Sequence, residues 1–228
     1  GVDLSMQSAT KYLNGHSDLV AGVVAGSAEL IERVRHTANL YGGSLDPHAG
    51  FLLARGLKTL AVRVRAQNQN ALALAEFLAG HPKIAQVNYP GLPSSPQHGI
   101  AAQQMRGFGG MLSFALKGGF DDVKRVLPRL TRMHRAANLG AVETVGGPPA
   151  TTSHVECSPE ERAAMGIPEG LIRYSVGIED VDDLVASVLG PGHERRPQAE
   201  RLVHDPEDRL GRFLARAERP RRQLGNDF

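Results

Sequence analysis

The feature that most constrains this chain is a helical pattern running from residue 46 to residue 79. Asp46 stands where an N-cap oxygen is wanted, and Pro47 where the first turn tolerates a missing N–H. Leu52, Leu53, Leu57, Leu60, Ala61 and Val64 follow at 3.6-type spacing. Leu72, Leu74, Phe77 and Leu78 carry the pattern to a stop at Gly80 and Pro82. Globular helices average about three or four turns. One helix this long, or two in succession, is therefore expected to link two domains rather than to lie inside a small one.

Short apolar runs and helical patterns alternate on both sides of it. Residues 19–25 are apolar and β-branched and read as a buried strand, and 28–40 as a helix with Ser27 as N-cap, broken at Gly42 and Gly43. Beyond the long pattern, residues 84–89 and 111–116 alternate like strands, and 97–105 and 120–128 suit helices. Residues 90–96 and 146–153 read as loops, and Ser158 with Glu161 forms a capping box. Residues 171–176 read as a strand with Arg173 exposed on one face, and Asp180 caps a last helix over 181–188. This is an α/β layout with a second α+β unit after the long helix.

The 228 residues are enough to bury a real core. There are 26 basic and 24 acidic side chains; residues 190–228 hold nine of the former and seven of the latter, so 17 of each remain before them. A neutral body gives no electrostatic case for nucleic acid as a partner. No apolar run is long enough to span a membrane. The single cysteine, Cys157, makes no intrachain disulfide, which suits a reducing, cytoplasmic location. The nine histidines show no ligand spacing, so no metal site is expected. Residues 190–228, rich in Arg, Glu and Pro, read as a poorly ordered tail or a loose helix around Leu210, Phe213 and Leu214. The chain opens on Gly1, and a candidate catalytic lysine follows at once, so further residues are expected upstream.

Three places could carry chemistry. In Ser8-Ala9-Thr10-Lys11 the lysine could form a Schiff base, with two hydroxyls beside it to bond a phosphate. Taken alone, a surface lysine among small polar residues is the commoner case. Arg173, inside an apolar strand, needs an anion if it is buried, and its guanidinium can hold a carboxylate through two parallel hydrogen bonds. Taken alone, an edge-strand arginine pointing at solvent, or a structural ion pair with Glu179 or Asp180, is the commoner case. Asn138, before Leu139-Gly140, could add an amide to the same carboxylate, or could simply be a turn asparagine.

Taken together, the segments resemble a known family. Ser8-Ala9-Thr10-Lys11-Tyr12-Leu13-Asn14-Gly15-His16-Ser17-Asp18 resembles the cofactor-lysine segment of the cystathionine γ-synthase and γ-lyase family of Cys/Met metabolism. Further blocks follow in order: Arg55-Gly56-Leu57-Lys58-Thr59-Leu60, Asn88-Tyr89-Pro90-Gly91-Leu92-Pro93 and Gly107-Phe108-Gly109-Gly110. So do Leu139-Gly140 with Glu143-Thr144, Thr152-Ser153-His154, and Leu171-Ile172-Arg173-Tyr174-Ser175-Val176-Gly177-Ile178-Glu179-Asp180. The resemblance covers about residues 1–188 and leaves the tail unmatched.

The resemblance implies an α/β protein of the PLP-dependent transferase fold type I, comprising the end of the large cofactor domain (1–66) and the C-terminal α+β domain (67–189). It implies pyridoxal 5'-phosphate as cofactor, held by Lys11, with Ser8 and Thr10 on its phosphate. Arg173 and Asn138 would bind the α-carboxylate of a small amino-acid substrate, and the full-length form would be a homo-oligomer, a dimer of dimers. The implied reaction is γ-replacement or γ-elimination in transsulfuration. Ala137-Asn138 departs from the Glu-Ser usual in γ-synthases and γ-lyases and is closer to the O-acetylhomoserine sulfhydrylases. The family's ring-stacking tyrosine and pyridine-binding aspartate lie upstream of its lysine. The isolated chain is therefore expected to lack γ-elimination activity, and an inactive remnant acting only through oligomer contacts is the alternative.

Overall fold

A computed structural model describes residues 1–189; the tail over 190–228, with its expected loose helix, lies outside the described residues. Strands β1 (Leu4–Ser8) and β2 (Gly22–Gly26) pair antiparallel, Leu4 opposite Gly26 and Ser8 opposite Gly22. A π-helical turn, Ala9–Leu13, and a tight loop lie between them. Helix α1 (Ala28–Tyr41) begins at Ser27, whose Oγ accepts from the Leu30 N–H, and ends at Gly42 with φ +76°. Gly42 takes there the left-handed conformation that other residues resist.

The long helical pattern resolves into two helices in succession. Helix α2 (Pro47–Leu57) starts where the Asp46 carboxylate accepts from the Ala49 N–H at 3.0 Å. The chain turns at Lys58 and Thr59, and helix α3 (Leu60–Ala79) follows, unbroken through residue 66. Then come β3 (Ile84–Asn88), α4 (His98–Gln104), β4 (Met111–Leu116) and α5 (Phe120–Val126). They are followed by β5 (His134–Arg135), β6 (Val145–Gly147), α6 (Pro159–Ala164), β7 (Leu171–Ser175) and α7 (Val181–Leu189). Ser158 and Glu161 close both halves of the expected capping box at α6.

The five later strands make one sheet in the order β3-β4-β7-β6-β5, antiparallel except for the parallel β5–β6 pair. Leu112 and Phe114 of β4 and Ile172 and Tyr174 of β7 join Leu74 and Leu78 of α3, Val123 of α5 and Leu184 of α7 in the main core. Truncating one such Leu or Ile to Ala removes about 2–5 kcal/mol, because the cavity left behind adds to the lost transfer energy. Among the described residues no helix is long and apolar enough to cross a membrane.

Two sequence expectations need correcting. The run at 19–25 is not a buried strand: pairing starts at Gly22, and none of its residues is fully buried, Leu19, Ala21, Val23 and Val24 being half-buried and the rest exposed. Among the described residues this ribbon has one partner strand, so apolar composition here does not mean enclosure. Residues 146–153 are not all loop, since β6 carries Val145–Gly147 into the sheet. Glycine permits this, because a Cβ at Gly146 would stand 2.4 Å from the Arg173 carbonyl and 2.7 Å from the Met133 sulfur. Strands β1 and β5, too short or too polar for the alternation test, were not signalled.

Two glycines of α2 give a test. Gly50 has nothing within 4 Å of an added Cβ, whereas a Cβ at Gly56 would lie 2.4 Å from the Asn14 carbonyl oxygen. Gly50→Ala is expected to stabilise the fold by about 0.5–1 kcal/mol through helix propensity. Gly56→Ala is expected to destabilise it by about 1–3 kcal/mol through overpacking against backbone. Urea denaturation of the two variants beside the wild type checks both signs.

Candidate active site

The polar face of α3 brings the distant segments together. Arg63, Gln67 and Asn70 sit at i, i+4 and i+7, on one side of the helix. Arg63 is 4% exposed and donates to the carbonyls of Tyr12 (2.9 Å), Leu13 (3.4 Å) and Gly56 (2.9 Å) and to the Thr59 hydroxyl (3.0 Å). Burial lowers its pKa, since a charged guanidinium loses hydration there. One turn on, fully buried Gln67 donates to the Ala141 carbonyl at 2.7 Å. Asn70 donates to the carbonyls of Gly177 and Glu179 at 3.2 and 2.7 Å. The helix thus holds the segments around residues 12–13, 141 and 177–179 by their backbones.

Those segments also bond to one another. The Val142 N–H donates to the Gly15 carbonyl, and the Ile178 N–H to the Val142 carbonyl. The Glu179 carboxylate accepts from the Thr144 N–H at 2.5 Å and from its hydroxyl at 2.9 Å. Thr144 Oγ1 accepts in turn from the Gly177 N–H. Glu179 is therefore engaged with the loop, not with Arg173. Gly140 has φ +78°, and a Cβ there would lie 2.7 Å from the Tyr12 nitrogen, so this crossing is glycine's by necessity.

At the centre, Lys11 Nζ donates to Asn138 Oδ1 at 2.5 Å across 127 residues of sequence. Arg173 donates from a terminal guanidinium nitrogen to the Asn138 carbonyl at 3.4 Å. In the sheet Arg173 lies between Ser113 of β4 and Gly147 of β6. These two small neighbours flank a guanidinium that is half-buried rather than exposed. Lys11, Thr10 and Asn138 line a cavity of about 660 Å³ with Ser17, Asp18, Val20 and the short chain of Ala137. Ser17 is held at φ +57°, an uncommon conformation for a serine, in the loop where Asn14 donates to the Asp18 carboxylate at 2.8 Å. Among the described residues no carboxylate lies within ion-pair distance of Lys11 or Arg173.

Of the five expected site residues, Lys11, Asn138 and Arg173 are brought together, and Thr10 borders the same cavity. The Thr10 hydroxyl is shared with the Ala21 backbone, accepting at 3.0 Å and donating at 3.3 Å. Ser8 is exposed, opposite Gly22 in the ribbon. A roomier cavity of about 730 Å³ runs along β3 and the loop to Gln97, but no charged side chain lines it. The chemistry lies with the lysine. The sequence reading missed Arg63, Gln67 and Asn70; their signal was a polar row at helical spacing inside an apolar pattern.

Tyr12 follows the lysine with its hydroxyl buried, facing the Ser175 hydroxyl and the Gly110 amide without a well-aligned hydrogen bond. Burial raises its pKa, partly offset by those two neighbours. Tyr89, whose hydroxyl donates to the Gly109 carbonyl at 2.9 Å, is pushed up to about 12 by burial, helped by the charge of an ionised Tyr12.

Residues 1–189 match the family model described as Cys/Met metabolism PLP-dependent enzyme. The chain is 48% identical to the L-methionine gamma-lyase of Pseudomonas putida, over 82% of this chain and 48% of that one. It is 46% identical to the cystathionine gamma-lyase of Dictyostelium discoideum, over 82% of this chain and 49% of that one. A solved cystathionine gamma synthase from Xanthomonas oryzae pv. oryzae, in complex with aminoacrylate and cysteine, superimposes with a TM-score of 0.79 at 44% identity. That match covers 83% of this chain and 49% of the other. The chain spans about half the length of these relatives.

The tyrosines generate a pH test. A raised phenol pKa means that the fold favours the neutral form. The stability this contributes is complete below the unfolded phenol value of about 10 and is lost as pH rises toward about 12. The free energy of unfolding is expected to fall over that window, and Tyr89→Phe to make the fall shallower; urea titrations at stepped alkaline pH measure both.

Proposed function

Because the chain belongs to the Cys/Met metabolism PLP-dependent enzymes, we propose that it serves a transsulfuration reaction, a γ-replacement or γ-elimination on a small amino-acid substrate. The family is pyridoxal-phosphate-dependent, and the fold is fold type I. Residues 1–66 read as the end of the cofactor domain and 67–189 as the C-terminal domain. The observation that carries the proposal is the convergence of three segments: Lys11 and Asn138 meet at the edge of one cavity, and Arg173 bonds the Asn138 carbonyl behind them.

That corner suits the cofactor. The Lys11 amine meets an amide oxygen rather than a carboxylate, so no ion pair has to break before it can bond a carbonyl carbon. Lys11 would hold the cofactor, with Ser8 and Thr10 toward its phosphate. When bound, pyridoxal phosphate withdraws electrons from the substrate's α-carbon. The chain's own groups do the rest. The Arg173 guanidinium offers paired N–H donors to the substrate α-carboxylate. Asn138, whose Oδ1 faces Lys11, has its Nδ2 left to donate beside it. Lys11 Nζ, once free of Asn138, would move a proton at the substrate carbons.

A second reading, an O-acetylhomoserine sulfhydrylase-like reaction, is favoured by one observation: Ala137 and Asn138 both line the cavity, so their departure from Glu-Ser lies where substrate would sit. Assembly as a dimer of dimers in the full-length form is supported by exposed aromatic side chains, Tyr41 at 86% and Phe51 at 64%.

The test is the visible absorbance spectrum of the purified chain with added pyridoxal phosphate, beside Lys11→Ala. A yellow band absent from the variant is expected. A wild type without a lysine-dependent band would remove the cofactor reading from this polypeptide.

A further inference from the structure

We propose that Arg63 is a positioning residue for Lys11: its guanidinium, bonded to the carbonyls of Tyr12 and Leu13, sets where the Lys11 amine stands relative to Asn138. The proposal rests on the reading of Lys11 as the working lysine, and its test does not require the cofactor.

The geometry is specific. Lys11 interrupts the π-helical turn with φ −91° and ψ −128°, which are not helical angles. The carbonyls of Tyr12 and Leu13 turn to Arg63 for donors. Buried carbonyls without partners are costly, so something must answer them. A planar fork can reach carbonyls on two chain segments at once, Tyr12 and Leu13 on one and Gly56 on the other; a lysine ammonium has no such reach. The surroundings are cut to this side chain. A Cβ at Gly15, where φ is +78°, would lie 2.1 Å from an Arg63 terminal nitrogen. The Thr59 hydroxyl accepts from Arg63 Nε and fixes the plane of the fork.

Charge does not explain the arrangement. Among the described residues no carboxylate meets Arg63, and a buried cation held only by dipoles costs more than apolar packing of the same volume. The other end of the Lys11–Asn138 bond shows what the arrangement does. Gln67, one turn further along α3, holds Ala141, three residues past Asn138. A Cβ at Gly140, between them, would stand 3.1 Å from the Lys11 carbonyl carbon. Both partners of that bond thus hang from one rigid helix, about 6 Å apart along its axis.

The experiment is trace acetylation of the folded full chain with acetic anhydride, read by mass spectrometry at Lys11 relative to Lys124, whose side chain is 61% exposed. In Arg63→Lys the relative labelling of Lys11 is expected to rise about fivefold, the population change that goes with losing one hydrogen bond. In Arg63→Ala, added methylguanidinium is expected to reverse part of the rise. Thr59→Val, which removes only the hydroxyl behind the fork, is expected to give a smaller rise. Arg162→Met, which deletes another buried guanidinium, bonded to Glu169 at 2.8 Å, is expected to change stability and leave the ratio alone. A folded Arg63→Lys with the wild-type ratio overturns the proposal, as does an equal rise in Arg162→Met. If the Arg63 variants fail to fold, an unchanged ratio in Thr59→Val overturns it. A wild type without a lysine-dependent absorbance band removes the cofactor reading instead, and the labelling ratios still decide the role of Arg63.

Discussion

A guanidinium leaves water only if its N–H groups find acceptors. Arg63 finds them in the carbonyls of Tyr12, Leu13 and Gly56 and in one hydroxyl, and the neighbourhood is organised around that condition. Segment 12–15 must lie against α2 and α3 closely enough that Gly15 and Gly56 tolerate no side chain. Once this contact is made, Gln67 and Asn70 stand at helical spacing to fasten the loops at 141 and 177–179. The segments that carry Lys11, Asn138 and Arg173 are thereby placed by backbone hydrogen bonds to one helix.

The placement leaves polar atoms unanswered. Among the described residues Tyr12 Oη, Gln67 Oε1, Asn68 Oδ1 and Tyr174 Oη find no hydrogen-bond partner. Each such group costs about 1–3 kcal/mol in an enclosed setting. For Tyr12, Gln67 and Asn68 the cost falls where the site segments cross α3, whereas Tyr174 lies in the main core beside Phe114; the apolar contacts of Leu74, Leu78, Phe114 and Ile172 offset it. The division of labour between the two sides of α3 is clear: one supplies stability and the other supplies position.

Much of this was legible in the residues. The caps at Ser27, Asp46 and Ser158 formed as read, because a cap needs only a short side chain and a nearby N–H. Strand β4 fell where its alternation put it, and the structure brings Lys11, Asn138 and Arg173 together. Three things stayed hidden. Whether an apolar run is enclosed depends on its neighbours, so the half-exposed β2 reads like a core strand. Two glycines in a Gly-Gly-Pro-Pro stretch read as loop, while β7 beside them needs a strand without side chains. The row Arg63, Gln67, Asn70 passed unnoticed, because local sequence does not show which carbonyls will arrive from 50 or 100 residues away.

The parts of the site that α3 grips are main-chain carbonyls, and every residue type carries the same one. The side chains that face the cavity from those loops, Ala137 and Asn138 among them, take no part in the grip. Selection can therefore exchange them one at a time without first finding a compensating change elsewhere. A frame that is strict at Gly15, Gly56 and Gly140 but indifferent to these cavity-facing side chains lets one scaffold change its cavity lining by short mutational paths.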